Sequence, residues 1–244
     1  MKNLILIAPP AAGKGTLSEQ LVSACGYEHI STGDLLRVKQ QDGSELGNKL
    51  KELLSTGKLV DDNIVTDLLK EKLENISTSF ILDGYPRNIK QADILENLLL
   101  ELNLNIGAVI YLNVDRETAM HRALGRITCP KCNKIYNKYN EIMKPENDNL
   151  CDNCNVELVS RTDDNEESFK VRFDTYLENT KPLLDYYKNK GKLVVIDKID
   201  TPDETFMEVK KVIGKWYLLK VKKKYQKWKK QVILIIWHIN IWSL

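Results

Sequence analysis

Apolar residues follow two alternating patterns along the chain. Residues 3–8 (NLILIA) form a short continuous apolar run, closed by a Pro/Ala/Gly turn, and from Gly15 onward the spacing becomes the mixed polar and apolar one of a helix. A run of this length bounded by turn residues predicts a buried strand, so the opening reads strand, loop, helix. The unit recurs at SFILD (79–83), IGAVIYLNV (106–114) and KLVVID (192–197), with helical spacing over 63–73, 90–102 and 117–124 between the runs. Four buried strands alternating with helices predict an α/β fold, a parallel sheet covered on both faces. Two stretches break the alternation: residues 31–60, which read as short helices, and residues 127–160, which are polar and hold four cysteines. Both are expected to be insertions over one edge of the core.

Composition narrows the class. A length of 244 residues, 43% hydrophobic and 29% charged, suits one core with insertions and excludes wholesale disorder, a collagen-like repeat or a polytopic membrane protein. The net charge of +2 is unevenly placed: residues 215–244 contain eight lysines and no Asp or Glu, which leaves the first 214 residues at −6. All four tryptophans (Trp216, Trp228, Trp237, Trp242) lie in that last stretch too, so a boundary is expected at Gly214. Its apolar end, 232–244, would reach about 20 Å as a helix, short of the ~30 Å hydrocarbon core. Two readings remain for it, a membrane-surface tether and an extension without a role in the core, and the sharp break in composition favours the second. At the other end, the apolar run Leu4–Ile7 is too short for a secretory signal and is followed by Pro9 and Pro10. With no disulfide-scaffold character, a reducing, cytoplasmic setting is expected.

Candidate chemistry begins in the loop Ala8-Pro9-Pro10-Ala11-Ala12-Gly13-Lys14-Gly15-Thr16. Small residues between a strand and a helix aim backbone N–H groups and a helix N-terminus at one point, and Lys14 adds a full charge there, which suits a polyphosphate. The loop departs from a Walker A motif at Ala8 and in the position of its hydroxyl, so a tight turn without a ligand remains the alternative. Arginines sharpen the choice. The chain has seven, Arg37, Arg87, Arg116, Arg122, Arg126, Arg161 and Arg172, against 29 lysines, and the guanidinium fork is the group that grips phosphate bidentately. Surface ion pairing is the competing explanation, and it is adopted for Arg116. Asp83 closes an apolar strand before Gly84, at the sheet edge where such folds bind ligands, and suits Mg²⁺ held through phosphates and water; a strand-end cap is the alternative. Cys129-x-x-Cys132 and Cys151-x-x-Cys154, 18 residues apart, have the spacing of a four-cysteine zinc site, with redox pairs or disulfides as the rival readings. Cys25 reads as a small core residue, and His29, His121 and His238 are assigned no catalytic role.

Together the segments APPAAGKGT (8–16), HISTGDLLR (29–37), GKLVDD (57–62), FILDGYPRNIKQ (80–91), RALGRITCPKC (122–132) and RTDDNEE (161–167) resemble the adenylate kinases of bacterial type with a long, zinc-bearing lid. The resemblance covers residues 1–213. It implies a P-loop nucleoside monophosphate kinase fold with an AMP-binding insertion at 31–60 and a lid at 127–160, and Mg²⁺-dependent transfer between ATP and AMP to give two ADP. It places Gly13, Lys14, Gly15 and Thr16 around the ATP phosphates, with Arg122 and Arg126 serving ATP from the base of the lid. Thr32, Gly33, Arg37, Lys58, Leu59, Val60, Gly84, Arg87 and Gln91 would form the AMP site, and Arg161 and Arg172 would reach phosphates of both nucleotides. Lys14, Arg87, Arg126, Arg161 and Arg172 would carry the catalysis, Asp83 the Mg²⁺, Asp163 and Asp164 the orientation of lid arginines, and the four paired cysteines a structural Zn²⁺. A monomer is implied. The departures are Ala8 and Ala11 for glycine, Ile127 for a second arginine, Lys198 for glycine, and residues 214–244. An inactive nucleotide-binding relative and a zinc-ribbon nucleic-acid binder are the competing functions; the acidic body lacks the basic footprint of the latter.

Overall fold

The computed structural model describes residues 2–55, 60–161, 163–197 and 201–214. Lys58, Leu59, Lys198 and the segment 215–244 lie outside the described residues. The central sheet is parallel, with strand order β2-β3-β1-β4-β7, built from β1 (Asn3–Ile7), β2 (Glu28–Ser31), β3 (Phe80–Asp83), β4 (Ile106–Leu112) and β7 (Leu193–Ile196). Helices α1 (Lys14–Cys25), α2 (Thr32–Lys39), α3 (Glu45–Ser55), α4 (Asp62–Glu74), α5 (Ile89–Glu101), α6 (Arg116–Gly125), α7 (Glu166–Thr175), α8 (Leu183–Asn189) and α9 (202–214) surround it. A short antiparallel pair, β5 (Arg126–Thr128) and β6 (Ile135–Asn137), carries the cysteine segment away from the sheet.

The strand alternation splits the core in two. Ile5 and Ile7 of β1 point into one cluster with Phe80, Leu82 and residues of α4, α5 and α8, while Leu4 and Leu6 point into another with Ile81, Ile110 and residues of α1 and α9. Both faces are thus covered, as the continuous apolar runs require.

Among the described residues the sheet has five strands, one more than the apolar runs predict. The extra strand β2 reads EHIS, and only Ile30 within it is fully buried. It is an edge strand whose identity comes from its register with β3, Glu28 beside Phe80 through Ser31 beside Asp83. At the opposite edge β7 is less buried than predicted, with Val195 47% exposed. One further expectation changes. Among the described residues Arg116 has no ion pair; its guanidinium lies 5.3 Å over the ring of Phe173. Ile127, which departs from the second arginine common at this place in the family it resembles, is 6% exposed and packs with Tyr136 and Leu158 inside the cysteine segment.

The two loop alanines separate clearly. Ala8 is buried with negative φ, whereas Ala11 has a φ of 58°, next to Gly13 at 100°. A left-handed alanine costs about 1–2 kcal/mol, part of which Ala11 recovers by packing against Ala119, Ala123, Phe169 and Phe173. Ala11→Gly is therefore expected to raise stability by about 0.5 kcal/mol, after allowing for the flexibility glycine adds to the unfolded chain. Urea denaturation reads this directly, and a lower midpoint in the variant contradicts it.

Candidate active site

The carboxyl ends of β1, β2 and β3 open onto one cleft of about 870 Å³. Gly13 caps the start of α1 in the left-handed conformation, which turns the chain from β1 so that Lys14 begins the helix at the cleft floor. Asp83, at the end of β3, faces it, with Lys14 Nζ 3.9 Å from Asp83 Oδ1. Gly84 follows at a φ of 81°, and a Cβ there would stand 3.0 Å from Thr32 Oγ1, so only glycine lets α2 approach this closely. Thr32 is buried, and its hydroxyl lies 3.4 Å from the carbonyl oxygen of Asp83. The guanidinium of Arg37, which pairs with Asp34, lies beside Gly33, 3.4 Å from where a Cβ would stand.

Arg87 is held from three sides. Its Nε donates to the Gly84 carbonyl at 2.8 Å, its backbone N–H to Gln91 Oε1 at 2.7 Å, and its carbonyl accepts from Thr180 Oγ1 at 2.9 Å. Thr180 ends a π-turn (Tyr176–Thr180) that continues α7. From the far wall, Arg122 reaches the Ala12 carbonyl at 3.3 Å, and Arg126 is gripped by Asp164 through both carboxylate oxygens. Arg172 bonds Asp163 Oδ2 at 2.8 Å and lies 3.6 Å from Asp164 Oδ1. Gly15, Thr16, Val60, Arg161 and Gln91 also line the cleft, so every described residue proposed from sequence for the nucleotide sites comes to it.

Electrostatics give the cleft its character. Burial pulls Lys14 below its ordinary range, Asp83 opposes this, and Arg87, Arg172 and Arg126 add repulsion. Burial also pulls Arg161 down, to about 10, with Arg126 and Arg37 pushing the same way. Arg87 is lowered by burial and then by Arg172. Asp83 runs opposite to its burial, which alone would raise it; Lys14, His29 and Arg87 outweigh that and hold it below the usual carboxylate range. A buried group of mutually repelling cations with few carboxylates is arranged for a ligand carrying several negative charges.

Three residues at the site were not expected from the sequence. His29, assigned no role, puts Nε2 3.5 Å from Asp83 Oδ2. Asp62 accepts from Gln91 Nε2 at 2.6 Å, and Thr180 holds Arg87. Asp62 stood inside the segment GKLVDD, but nothing local marked it as a partner of Gln91.

In the cysteine segment the four sulfur atoms of Cys129, Cys132, Cys151 and Cys154 lie within 4.8 Å of one another. Cys132 Sγ and Cys151 Sγ are 3.6 Å apart, close to the ~3.8 Å edge of a tetrahedron with zinc–sulfur bonds of about 2.3 Å. Each pair sits on the same knuckle, because both read Cys-x-x-Cys-Asn and the asparagines, Asn133 at a φ of 60° and Asn155 at 51°, turn left-handed. The N–H groups of Lys131 and Cys132 point at Cys129 Sγ at 3.4 Å. Burial pushes the Cys151 thiol up, but the Tyr136 hydroxyl and the knuckle amides outweigh it and bring the group to about 6. Four convergent sulfurs with N–H donors fit a tetrahedral ion and favour it over two separate disulfides.

Comparison with known proteins completes the picture. A family model described as adenylate kinase matches residues 6–192. The chain belongs to the adenylate kinase family. Among its relatives is an adenylate kinase of Thermotoga petrophila, 41% identical over 217 residues that cover 88% of this chain and 98% of the relative. An adenylate kinase of Archaeoglobus fulgidus is 40% identical over 215 residues, covering 87% and 98%. One from Paracoccus denitrificans is 41% identical over 215 residues, covering 87% and 97%. As an adenylate kinase the chain is a nucleoside monophosphate kinase on a P-loop α/β fold. Among the described residues no helix is long and apolar enough to cross a membrane.

The Asp164 contacts carry a prediction for this kinase. Asp164 is 1% exposed and serves two guanidiniums; Asp164→Ala leaves the buried charge of Arg126 without its carboxylate, while Arg172 keeps Asp163. A loss of about 3 kcal/mol is expected. Added pyrophosphate should recover part of it, because an anion in the cleft takes over the charge balance. Thermal melts with and without pyrophosphate read both effects; an unchanged melting temperature contradicts the first.

Proposed function

We propose that this kinase catalyses reversible phosphoryl transfer, ATP + AMP = 2 ADP, with Mg²⁺. The observation that carries the reading is the convergence of Lys14, Arg87, Arg126, Arg161 and Arg172 on one cleft around the single strand-end carboxylate Asp83. The acceptor phosphate of AMP is already an anion, so the reaction needs no general base; it needs two polyanions held in line and their charge offset. In this reading the N–H groups of Gly13, Gly15 and Thr16 cradle the ATP phosphates with Lys14, while Arg122 and Arg126 hold them from the opposite wall. Thr32, Gly33, Arg37, Val60, Gly84, Arg87 and Gln91, with Lys58 and Leu59, take AMP. Arg161 and Arg172 span the transferred group, with Asp163 and Asp164 orienting Arg172 and Arg126. Asp83 suits Mg²⁺, which supplies charge neutralisation at the phosphates.

Residues 1–213 are taken as the catalytic unit, 31–60 as its AMP-binding insertion and 127–160 as its lid. The lid excludes water, which would otherwise accept the phosphoryl group in place of AMP. Support for a closed arrangement comes from Ile135 of β6, whose Cδ1 lies 3.0 Å from where a Cβ on Gly15 would stand. The four paired cysteines fit a structural Zn²⁺ that holds this segment together. We take the enzyme to act as a monomer in the cytoplasm, without nucleic acid and without the membrane.

A coupled assay for ADP formed from ATP and AMP tests the reading. Mg²⁺-dependent ADP production is expected, with AMP preferred over CMP and UMP. Nucleotide binding without turnover overturns the reaction, and equal rates with CMP overturn the specificity.

A further inference from the structure

Gln91 lines the cleft at the start of α5 and is 2% exposed. A carboxamide offers two acceptor lone pairs and two N–H donors, and one of each is already used within the protein. Its Oε1 accepts from the Arg87 N–H at 2.7 Å, and its Nε2 donates to Asp62 Oδ1 at 2.6 Å. Among the described residues nothing takes the other lone pair and N–H, which remain for a ligand. Both protein partners work in one direction only, since a backbone N–H can only donate and a carboxylate can only accept. Turning the amide over would set Nε2 against the Arg87 N–H and Oε1 against the Asp62 carboxylate, two like contacts in a buried place. An unrestrained glutamine reverses its amide freely and reads either polarity; this one is held.

The restraints are themselves anchored. The residue that supplies the N–H, Arg87, is held at its own carbonyl by Thr180 Oγ1 at 2.9 Å. Asp62 sits in the first turn of α4, where its carbonyl accepts from Thr66 Oγ1 at 2.7 Å and its second carboxylate oxygen lies 3.4 Å from Lys90 Nζ. Val60 and Val65, both buried, line the cleft as well and supply apolar surface for a flat base.

We propose that Asp62 is a positioning residue for base selection: it fixes the polarity of the Gln91 amide. The acceptor site then takes a 6-aminopurine, which offers an N–H donor beside a ring-nitrogen acceptor, and rejects a 6-oxopurine, which offers the reverse. This rests on the reading in which Gln91 faces the base of the acceptor nucleotide.

The test compares kcat/KM for AMP and inosine monophosphate in the full chain and in Asp62→Asn, Asp62→Leu and Gln91→Leu. In Asp62→Asn the introduced amide can serve either polarity, so the AMP-to-inosine-monophosphate ratio is expected to fall about tenfold, mainly through better use of inosine monophosphate. In Asp62→Leu the ratio is expected to fall as well, here with a higher KM for AMP. A merely structural role of Asp62 lowers both nucleotides together and leaves the ratio unmoved in both variants, which overturns the proposal. Gln91→Leu separates that failure from a failure of the acceptor-site reading. If it raises the AMP KM tenfold or more while the Asp62 variants leave the ratio unmoved, Gln91 reads the base but its polarity is set elsewhere. If it leaves the AMP KM unchanged, the reading falls and the proposal with it.

Discussion

Replacing Lys14 or Arg87 by alanine is expected to lower kcat between about 10²- and 10³-fold, or roughly 2.7–4 kcal/mol of transition-state stabilisation, the range for losing one preorganised donor at a developing charge. The magnitude follows from where these cations sit. Lys14 has a side chain 19% exposed and, among the described residues, one carboxylate in ion-pair range, Asp83 at 3.9 Å, while three arginines repel it. Its charge is therefore little screened, and a phosphoryl group entering the cleft meets nearly all of it. The same repulsion means that Lys14 does little for the stability of the free protein. Lys14→Ala should thus lose turnover without a matching loss of melting temperature, a division between activity and stability expected of functional charges. Arg87→Ala should differ slightly, because its Nε bond to Gly84 also braces the turn after β3. Steady-state kinetics beside thermal melts decide the matter; near-normal turnover in both variants shows that the phosphate site lies elsewhere.

Loss of zinc is expected to have the other large effect. In the proposed reading, one ion per chain on Cys129, Cys132, Cys151 and Cys154 would organise a segment whose own hydrophobic core is small, chiefly Ile127, Tyr136 and Leu158 around two of the cysteines. Structural zinc sites contribute about 10 kcal/mol or more in isolated fingers at neutral pH, far beyond what three apolar side chains supply. Chelation, or the double variant Cys129→Ser/Cys132→Ser, should therefore unfold the segment and lower the melting temperature. AMP binding should outlast turnover, because Thr32, Arg37, Arg87 and Gln91 are carried by α2, α5 and the β3 turn, outside this segment. Elemental analysis together with binding and kinetic assays checks each part. Protein that contains no zinc and four freely titrating thiols at these positions refutes it.

The site was legible from sequence where chemistry is packed into contiguous residues. The Ala8–Thr16 loop, the strand-end Asp83-Gly84 pair and the Cys-x-x-Cys-Asn knuckles each declare a local geometry through residue types that few other conformations need. Scarce arginines among many lysines marked the guanidiniums that line the cleft, Arg116 apart. What escaped was relational. His29 looks like an ordinary strand residue until β2 pairs with β3 and sets it against Asp83. Thr180 is 93 residues from the Arg87 carbonyl it holds, and Asp62 is 29 from Gln91.

By itself, then, the chain's order of apolar and polar residues determined the buried strands, the helices between them and the class of chemistry, because periodicity and short motifs act over a few residues. Tertiary structure decided the rest. β2 holds only one fully buried apolar residue and is a strand because β3 supplies its hydrogen-bond partners. Ala11 is left-handed because the loop must turn between β1 and α1, a demand its own side chain opposes. The grip of Asp164 on Arg126, like the clamp on the Gln91 amide, exists only once distant segments are packed and water is removed. Burial then makes such polar contacts costly to lose, which their sequence neighbours cannot foretell.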